Sequence, residues 1–499
     1  MFNLYLPYDT AFSRMLARSG FYQSGGAYGF RDQLQDILCI MYADKKRALN
    51  HIYRAASHQF PEGDVLHWWH EQTHTGVRTR CSDDYLWLVY ASAKYYEICG
   101  NFDFLKVELP YITASHLSDN ETERYGAFSK SDICESLYLH NLRALDRAIS
   151  LRGKHGLCLM GSCDWCDGYS LVGKNMQGES TFTTMFLIML LNLFVPICKK
   201  YGDNEIAEKY QNVIYDLKSA VETHCYDKEN GYFLRGFYDD GTTLGSNEND
   251  EGKIDLLAQS FAALSGINAE MSINALIKAR DLLYDKEMRI MKLLSPPFEK
   301  TKKEPGYIKG YLPGVRENGG QYTHGAMFYA LACFETAEQI YKQDKELSKK
   351  LTEFASDVLL WSNPAFRASS VVGDNISISY KTEPYSVAAD IYSNVDHKGR
   401  GGWTHYTGAS GWMYRLILRY VFGIEFKDAE SNSPKLVFHL HRHFPLQQVI
   451  DGGALKINEF GFDLEIKYIS DKEKFIIADN TKSKTNAFDK SVHLIEAHI

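Results

Sequence analysis

The residues best able to do chemistry lie in one stretch of thirteen, from Gly161 to Gly173. This stretch places the acids Asp164 and Asp167 around Trp165, between an amphipathic segment and an apolar run. A carboxylic acid beside an indole is typical of a glycosidic general acid, because the ring offers a sugar a stacking face and an apolar wall that favours the protonated acid. The alternative is an acidic, glycine-rich turn whose Trp fills the core. Taken alone, the stretch fits that simpler interpretation somewhat better.

A second cluster combines cations and acids. Arg78 and Arg80 precede Asp83 and Asp84 at a predicted loop-to-helix junction, and Ser82 is a candidate cap for the helix that follows. Two arginines followed by two acids can clamp a polar ligand. A solvated cluster of salt bridges explains the same pattern equally well.

Composition and charge narrow the class of partner. The net charge of −8 argues against a nucleic acid, so an anion would need a local site built from Arg, Lys or backbone N–H groups. The 33 tyrosines suit a carbohydrate cleft, although most are expected to pack in the core. Residues 1–20 lack the cationic start and apolar core of a signal peptide. The longest apolar run, Met185 to Leu191, is too short to cross a bilayer, so no membrane partner is expected.

The ten cysteines are scattered along the chain, a usage that fits the reduced cytoplasm. The one tight pair is Cys163 and Cys166, and without a second pair the sequence predicts no metal site there. His439, His441 and His443 share one face of a predicted strand. No acid or cysteine stands beside them in that run, so a solvated strand face is the preferred interpretation.

The elements that must position these residues are mainly α-helical. Residues 11–60 are predicted to be helical apart from a glycine-rich turn at 20–29. Apolar residues at three- and four-residue spacing predict further helices over 131–151, 181–198, 206–221, 253–264, 270–284, 321–344 and 346–361. The loops that join them carry the Gly, Pro and aromatic residues. This alternation of plain helices and elaborate loops describes an all-helical toroid with its site at one end.

The pattern changes after about residue 425. Apolar and polar residues alternate over 436–441 and 462–468, and the turn Asp471-Lys472 leads into Phe475. The sequence therefore predicts two domains: a helical catalytic domain over 1–425 and a small antiparallel β-sandwich, jelly-roll-like, over 426–499.

Blocks of sequence in both the helices and the loops resemble glycoside hydrolase family 94, the cellobiose and chitobiose phosphorylase family. Its relatives include the phosphorylase-like region of cyclic β-1,2-glucan synthases. The resemblance is carried, in this order, by Tyr22-Gln-Ser-Gly-Gly-Ala-Tyr-Gly-Phe-Arg-Asp-Gln-Leu-Gln-Asp36, Gly63-Asp-Val-Leu-His-Trp-Trp-His70, Arg78-Thr-Arg-Cys-Ser-Asp-Asp84, Asp164-Trp-Cys-Asp-Gly168, Gly306-Tyr-Ile-Lys-Gly-Tyr-Leu-Pro-Gly-Val-Arg-Glu-Asn-Gly-Gly-Gln-Tyr-Thr-His324, Glu383-Pro-Tyr385 and Gly399-Arg-Gly-Gly-Trp-Thr-His-Tyr-Thr-Gly408. Blocks of this length, in this order over residues 20–425, are far more specific than a lone Asp-Gly.

The resemblance implies a fold, a reaction and a set of site residues. The fold is an (α/α)6 toroid of paired helices followed by a C-terminal β domain. The reaction is cleavage of a β-glucosidic di- or oligosaccharide by inorganic phosphate, with inversion, to give an α-sugar 1-phosphate. Carried over residue by residue, the general acid is Asp167, the sugar contacts are Asp84, Trp165 and Glu317, and the phosphate contacts are Arg78, His324, Thr407 and Gly408.

Two departures from the family pattern bear on these expectations. The family usually has Gly-Asp-Trp-Asn-Asp-Gly-Met around the acid, whereas Cys163, Cys166 and Tyr169 replace the Gly, the Asn and the Met here. Rate and specificity are expected to respond to that change. Family members also carry an N-terminal β-sandwich that helps them to dimerise, and the sequence begins at about the barrel. An N-terminally short chain is the expectation, with homodimer formation left open.

The expected residue types suit phosphorolysis. An inverting hydrolase needs an acid and a base with water between them, whereas phosphate is already an anionic nucleophile. Hydrogen-bond donors should therefore face the acid, and His324, Thr407, Gly408 and Arg78 are of that kind. No metal or organic cofactor is required. Two alternatives remain open: an inverting glycoside hydrolase on the same toroid, and a catalytically impaired carbohydrate-binding fragment.

Overall fold

A computed structural model of the protein describes residues 2, 4–16, 26–369, 375–428, 434–439, 454–457, 463–469, 475–483, 485, 487–488 and 491–498. Helices dominate up to residue 421. In chain order they are α1 (Tyr5–Thr10), α2 (Phe30–Ile40), α3 (Lys45–Ala56), α4 (Leu86–Cys99), α5 (Leu137–Ser150), α6 (Thr181–Tyr201), α7 (Asn204–His224), α8 (Leu256–Leu264), α9 (Ala269–Leu283), α10 (Thr323–Ile340), α11 (Lys345–Ser362), α12 (Pro364–Arg367), α13 (Asn375–Tyr380) and α14 (Ala409–Leu416).

The long helices pack in pairs. Helix α2 packs on α3, α4 on α5, α6 on α7, α8 on α9, α10 on α11, and α14 on α1. The first member of each pair also contacts the first member of the next pair, from α2 through α4, α6, α8 and α10 to α14, which returns to α2. These inner helices are buried on most faces, whereas outer helices such as α7 bury only a stripe of apolar residues. Because most of α7 is exposed, its sequence shows apolar residues at a clear three- and four-residue spacing.

Helix α6 is the longest strongly apolar helix among those described. It has 21 residues with a mean hydropathy of 2.0 in its most apolar window, enough by length and composition to cross a membrane, and 78% of that window is buried in the protein. Its neighbours are α4, α7 and α8. The burial identifies α6 as a core helix, although it is longer than the apolar run that the sequence singled out.

Two local predictions in the helical part are wrong. The segment 131–151 begins as a strand, Ser129–Ser136, and becomes helical only at Leu137, where the Ser136 hydroxyl accepts from the Leu139 N–H. Ser82 does not cap α4, because the helix begins at Leu86 and the Ser82 hydroxyl donates to the Cys163 carbonyl at 3.2 Å.

Short strands occupy the connections between the helices. They are β1 (Tyr28–Gly29), β2 (Leu66–His70), β3 (Thr75–Thr79), β4 (Glu108–Thr113), β5 (Glu123–Ala127), β6 (Ser129–Ser136), β7 (Glu179–Ser180), β8 (Tyr226–Asp227), β9 (Tyr232–Phe233), β10 (Gly236–Phe237), β11 (Thr243–Leu244), β12 (Ile254–Asp255), β13 (Tyr284–Asp285), β14 (Ile290–Met291), β15 (Leu294–Ser295), β16 (Gln321–Tyr322) and β17 (Asp390–Ile391). Strands β1, β2, β3 and β5 form one antiparallel sheet, in that order. The register of β2 and β3 shifts between Leu66 and Trp68, and such an irregularity changes the direction in which the side chain of the intervening His67 points.

The C-terminal part is a β region, as predicted. Its strands are β18 (Ile424–Asp428), β19 (Pro434–Phe438), β20 (Ala454–Ile457), β21 (Leu464–Ile469), β22 (Phe475–Ala478), β23 (Thr481–Lys482), β24 (Ala487–Phe488) and β25 (Leu494–His498). The order in one sheet is β18-β19-β24 and in the other β20-β21-β25-β22-β23. The expectation of a wholly antiparallel domain is wrong, because β21 and β25 pair in parallel. A parallel pair needs a crossover connection, which the intervening residues supply.

The predicted domain boundary at residue 425 falls inside β18, which begins at Ile424. Of the three histidines predicted on one strand face, only His439 belongs to the described residues; His441 and His443 lie outside them. His439 Nε2 is 2.9 Å from a carboxylate oxygen of Glu425, so an acid does stand beside it. Residues 17–25 also lie outside the description, and with them the start of the block Tyr22–Asp36.

Candidate active site

The predicted general acid lies on a loop that a fully buried ion network holds in place. Arg235, with no exposed surface, donates from Nη2 to Asp164 Oδ1 at 2.6 Å, and its Nε is 3.3 Å from Asp255 Oδ1. Asp164 also accepts from the Ser180 hydroxyl at 2.6 Å and from the Cys166 N–H at 3.0 Å. Burial opposes the charged form of Arg235, yet the two carboxylates raise its pKa. The carboxylate of Asp164 is thus a structural anchor and is not available as an acid.

The turn that begins the loop depends on glycine. Gly161 has a φ of +64°, and a Cβ at this position would lie 2.0 Å from the Arg80 carbonyl oxygen. Gly161 pairs with Cys81 as an isolated β-bridge, and the Ser82 N–H donates to the Cys163 carbonyl at 2.9 Å. The loop of the acid is therefore tied directly to the segment that follows β3.

Asp167 opens the short 3-10 turn Asp167–Tyr169, and its side chain is 40% exposed. Its Oδ1 accepts a hydrogen bond from Arg31 Nη2, and the Cys163 thiol points at the same oxygen at 3.6 Å. Arg31, near the start of α2, also donates from Nη1 to Asp83 at 3.0 Å. Burial disfavours the charge on Arg31, but Asp167 and then Asp83 raise its pKa well above the ordinary value. The acid thus reaches solvent with a permanent cation beside it.

Asp84 lies on the other side of Arg31. It is 1% exposed, its Oδ2 is 2.7 Å from His67 Nδ1, and its Oδ1 is 3.8 Å from Arg31 Nε. Burial favours the neutral imidazole, but the Asp84 carboxylate raises the pKa of His67 well above its ordinary value. Asp84, Arg31 and Asp167 therefore form one continuous cluster.

Trp165 leads from the acid to the predicted phosphate contacts. It is 6% exposed and meets Tyr322, His324 and Phe328 edge-on, with ring centroids 5.2–5.8 Å away. Burial, and then the charge of Arg14, lower the pKa of His324 to about 3. His324 is therefore neutral near pH 7, and its Nε2 has no hydrogen-bond partner among the described residues.

Thr407 and Gly408 stand at the start of α14, next to His324. The Thr407 hydroxyl accepts from the Ala409 N–H at 3.0 Å. A Cβ on Gly408 would lie 3.1 Å from His324 Cε1, so only glycine allows this approach without movement of the ring. Arg14 holds the segment of Thr407 and Gly408 in place, because its Nη1 donates to the Tyr406 carbonyl at 2.9 Å.

Glu317 lies near the same aromatic wall. It is 8% exposed and pairs with Arg316 at 3.1 Å. The Arg316 guanidinium lies over the rings of Trp403, at 4.4 Å, and of Tyr322, at 6.0 Å. Because Tyr322 also contacts Trp165, Glu317 belongs to the surroundings of the indole.

Among the described residues, no hydrogen bond, ion pair or ring contact joins Arg78 to the other predicted site residues. It lies on β3, and its Nε and Nη2 donate to Asp64 at 2.7 and 2.9 Å, while Nη2 also reaches Glu62 at 3.1 Å. Its guanidinium stacks on Phe60 at 3.7 Å. Two carboxylates therefore occupy Nε and Nη2, whereas the buried Nη1 has no hydrogen-bond partner among the described residues.

The structure adds residues that the sequence interpretation did not assign to the site. Arg31 contacts the acid, His67 contacts Asp84, and Arg14 holds the segment of Thr407 and Gly408. Arg31 and His67 belong to the sequence blocks that resemble the family, so a search for a partner of each essential acid would have identified them. For Arg14 the sequence gives no comparable signal.

These features agree with the comparisons to known proteins. The family model of the Glycosyl hydrolase 94 superfamily, catalytic domain, matches residues 1–423, so the chain belongs to that superfamily. It is 42% identical over 430 residues to the cyclic beta-(1,2)-glucan synthase NdvB of Rhizobium meliloti (strain 1021), covering 85% of this chain and 14% of that protein. It is 29% identical over 412 residues to a 3-O-beta-D-glucopyranosyl-beta-D-glucuronide phosphorylase of Paenibacillus borealis, covering 81% and 48%.

The chain thus spans half or less of the length of these two relatives. Among solved structures, the GH78 family rhamnosidase of Bacillus sp. GL1 is similar with a TM-score of 0.51 at 12% identity, over 94% of this chain and 41% of that one. At such low identity the likeness concerns the fold alone. Together the comparisons show a glycoside-active family and a fold that other glycosidases share.

Proposed function

We propose that the chain is the catalytic part of an inverting glycoside phosphorylase, which cleaves a β-linked glucoside with inorganic phosphate and releases an α-sugar 1-phosphate. The observation that carries the proposal is the pairing of a partly exposed acid, Asp167, with a set of neutral donors. Trp165 connects the two, because it precedes Asp167 by two residues and its ring contacts His324. His324, Thr407 and Gly408 form the set of donors, which we call the phosphate cradle.

Each part has a defined task in such a reaction. Asp167 gives its proton to the leaving oxygen, and phosphate attacks the anomeric carbon from the opposite face. A neutral imidazole, a hydroxyl and the backbone N–H groups at the start of α14 can each donate to phosphate oxygens. Asp84, Trp165 and Glu317 hold the sugar. The mechanism uses inorganic phosphate as a co-substrate and needs neither a metal nor an organic cofactor.

The helix pairs support the (α/α)6 toroid that the family resemblance implies. Six inner helices in mutual contact, each with an outer partner, are the arrangement that such a toroid requires. Phosphorylases among the relatives support the reaction, whereas the glucan synthase leaves the donor sugar and the linkage open.

The test is to incubate the full chain with β-1,2-, β-1,3- and β-1,4-linked diglucosides and phosphate, and to measure sugar 1-phosphate. The Asp167→Asn protein is the control. Proton NMR of the first product should show the α-anomer, because a single displacement inverts the β-linkage. A β-phosphate would require a covalent intermediate and a second carboxylate, and it would refute the proposal.

One observation favours a hydrolase as the second candidate. The Asp32 side chain is 41% exposed, and although partial burial acts in the other direction, Arg14 and Arg31 hold its pKa below the ordinary value. Asp32 is therefore an ionised, partly exposed carboxylate that can accept a proton from water, although its ion pair with Arg14 makes it a weak base. Sugar release that is independent of phosphate and is lost in Asp32→Asn would establish hydrolysis. Saccharide binding without either turnover would instead favour the impaired binding fragment.

A further inference from the structure

Two cysteine thiols that lie 82 positions apart in sequence meet beside the proposed acid. Cys81 follows β3 and Cys163 lies in the acid's loop, and the β-bridge between Cys81 and Gly161 holds the two segments together. The Sγ atoms of both cysteines and a carboxylate oxygen of Asp167 lie within 4.8 Å of one another. From sequence, Cys163 was paired with Cys166. In the structure its neighbour is Cys81.

The same thiol belongs to a second group of donors. A ring nitrogen of His67, Cys81 Sγ and a carboxylate oxygen of Asp84 also lie within 4.8 Å of one another. His67 uses Nδ1 to contact Asp84 at 2.7 Å, which leaves Nε2 as the nitrogen able to bind an ion. In many metal sites a carboxylate accepts a hydrogen bond from the other ring nitrogen of a metal-bound histidine and fixes the orientation of its ring.

The charges around the thiols suit a divalent cation. Three carboxylates, those of Asp83, Asp84 and Asp167, surround the pair, against one permanent cation, Arg31. Arg31 Nη1 donates to Cys81 Sγ at 3.6 Å, but burial raises the pKa of the Cys81 thiol well above its ordinary value, so the metal ion itself must displace the thiol proton. The exposed fractions of His67, at 23%, and Asp167, at 40%, give an ion a route from the cleft.

We propose that this cluster is a Zn²⁺ site, with Cys81 and Cys163 as thiolate ligands and Asp167 and the His67 imidazole completing a tetrahedron. Thiolate and imidazole ligands select Zn²⁺ over Mg²⁺ and Ca²⁺. Tetrahedral Zn–S and Zn–N bonds put ligand atoms about 3.5 Å apart, and Cys163 Sγ is already 3.6 Å from Asp167 Oδ1. The other ligand atoms must approach one another where they lie farther apart, and within each group no separation exceeds 4.8 Å. Each bound Zn²⁺ displaces the two thiol protons and the Nε2 proton of the His67 imidazolium, and it accepts one lone pair from each ligand, with no change in oxidation state.

Binding of Zn²⁺ removes Asp167 from its role as proton donor. The site would therefore inhibit the enzyme in a way that depends on free zinc, a consequence that rests on the proposed function. The binding itself does not rest on it, because the ligand set can be tested in the complete absence of substrate.

The test uses the reduced full chain under anaerobic conditions, titrated with Co²⁺ as a spectroscopic substitute and then with Zn²⁺. We expect one equivalent of Co²⁺ to bind with thiolate-to-metal charge-transfer bands, and Zn²⁺ to abolish them. Cys81→Ser and Cys163→Ala should each weaken metal binding by about 100-fold or more and reduce the bands. Asp84→Asn, which removes only the support of His67, should weaken binding by about 10–100-fold.

Cys166→Ser is the matched control, since Cys166 is a buried cysteine of the same loop but does not belong to either donor group. Far-ultraviolet circular dichroism confirms the fold of each variant, and Cys163→Ala keeps the test valid if Cys81→Ser does not fold. Absent charge-transfer bands, or bands that persist in both Cys81→Ser and Cys163→Ala, would overturn the site. So would loss of two thiols with no bound metal, which would indicate a disulfide instead.

Discussion

Replacement of Arg235 by Met should destabilise the protein far more than loss of an exposed ion pair. Arg235 and Asp164 have no exposed side-chain surface, and Asp255 has 2%. Met fills a similar volume but leaves two carboxylates buried without their cation. Breaking a buried pair in this way costs about 3–5 kcal/mol, a large share of a total stability of about 5–15 kcal/mol.

Lys209→Met supplies the control, because Lys209 and Asp146 form a pair at 2.8 Å whose side chains are 46% and 43% exposed. Its loss should change the free energy of unfolding by less than about 1 kcal/mol. Urea titrations followed by far-ultraviolet circular dichroism measure both variants. Asp164→Asn and the double variant with Arg235→Met complete a cycle, whose coupling energy should be about 1–3 kcal/mol.

The Arg235→Met protein should also lose activity beyond its loss of folded molecules, since the loop that carries Asp167 would no longer be anchored through Asp164. A displacement of about 1 Å at a reacting group costs about 100-fold in rate. If Arg235→Met unfolds within 1 kcal/mol of the wild type, the network does not hold the loop and the argument is wrong.

Three further predictions concern the site itself. Asp167→Asn keeps the shape but removes the proton, so turnover should fall by about 10²–10⁴-fold; near-normal turnover in the purified variant would place the acid elsewhere. His324→Ala and Thr407→Val each remove a donor, so the KM for phosphate should rise more than the KM for the saccharide; an equal rise would indicate a structural role. Because burial lowers the pKa of His324 to about 3, the unfolded chain binds a proton there below about pH 6.5 and the folded chain does not. Stability is therefore lost as the pH falls, and His324→Gln should lose about 2–3 kcal/mol less than the wild type between pH 6.5 and 4.5, measured by urea titration.

The helical architecture could be predicted because its signal is local. Outer helices such as α7 repeat apolar residues at three- and four-residue spacing, and α6 is apolar along most of its length. The strand β6 was missed because a strand of an isolated two-stranded sheet is defined by its partner, here β4, and not by its own pattern. Ile133 and Cys134 are exposed there, so burial did not constrain the sequence.

The site could be predicted only where the family resemblance supplied residue roles, and those roles remain predictions. Contacts such as Arg31 with Asp167, 136 positions apart, depend on how the helices pack. Glu62 and Asp64 lie fairly close to Arg78 in sequence, yet no spacing rule predicted that they form ion pairs with its guanidinium. The fold decides which charged side chains come into contact. Charge patterns in the sequence therefore identify residues that can form ion pairs, but not which residues pair.

The contact between Arg14 and the Tyr406 carbonyl has a consequence for how the protein is made. It joins residues 392 positions apart, and α14 closes the ring of inner helices by packing on α2. At a translation rate of about 5–20 residues per second, the ribosome needs about 20–80 s to progress from one partner to the other. Once Arg235 has been synthesised, the acid's loop can assemble with Arg31 and Arg235. Helix α2, and later α10, keep an apolar flank uncovered until α14 follows. The nascent chain should therefore engage chaperones until α14 has emerged, and the phosphate cradle should be the last part of the site to form.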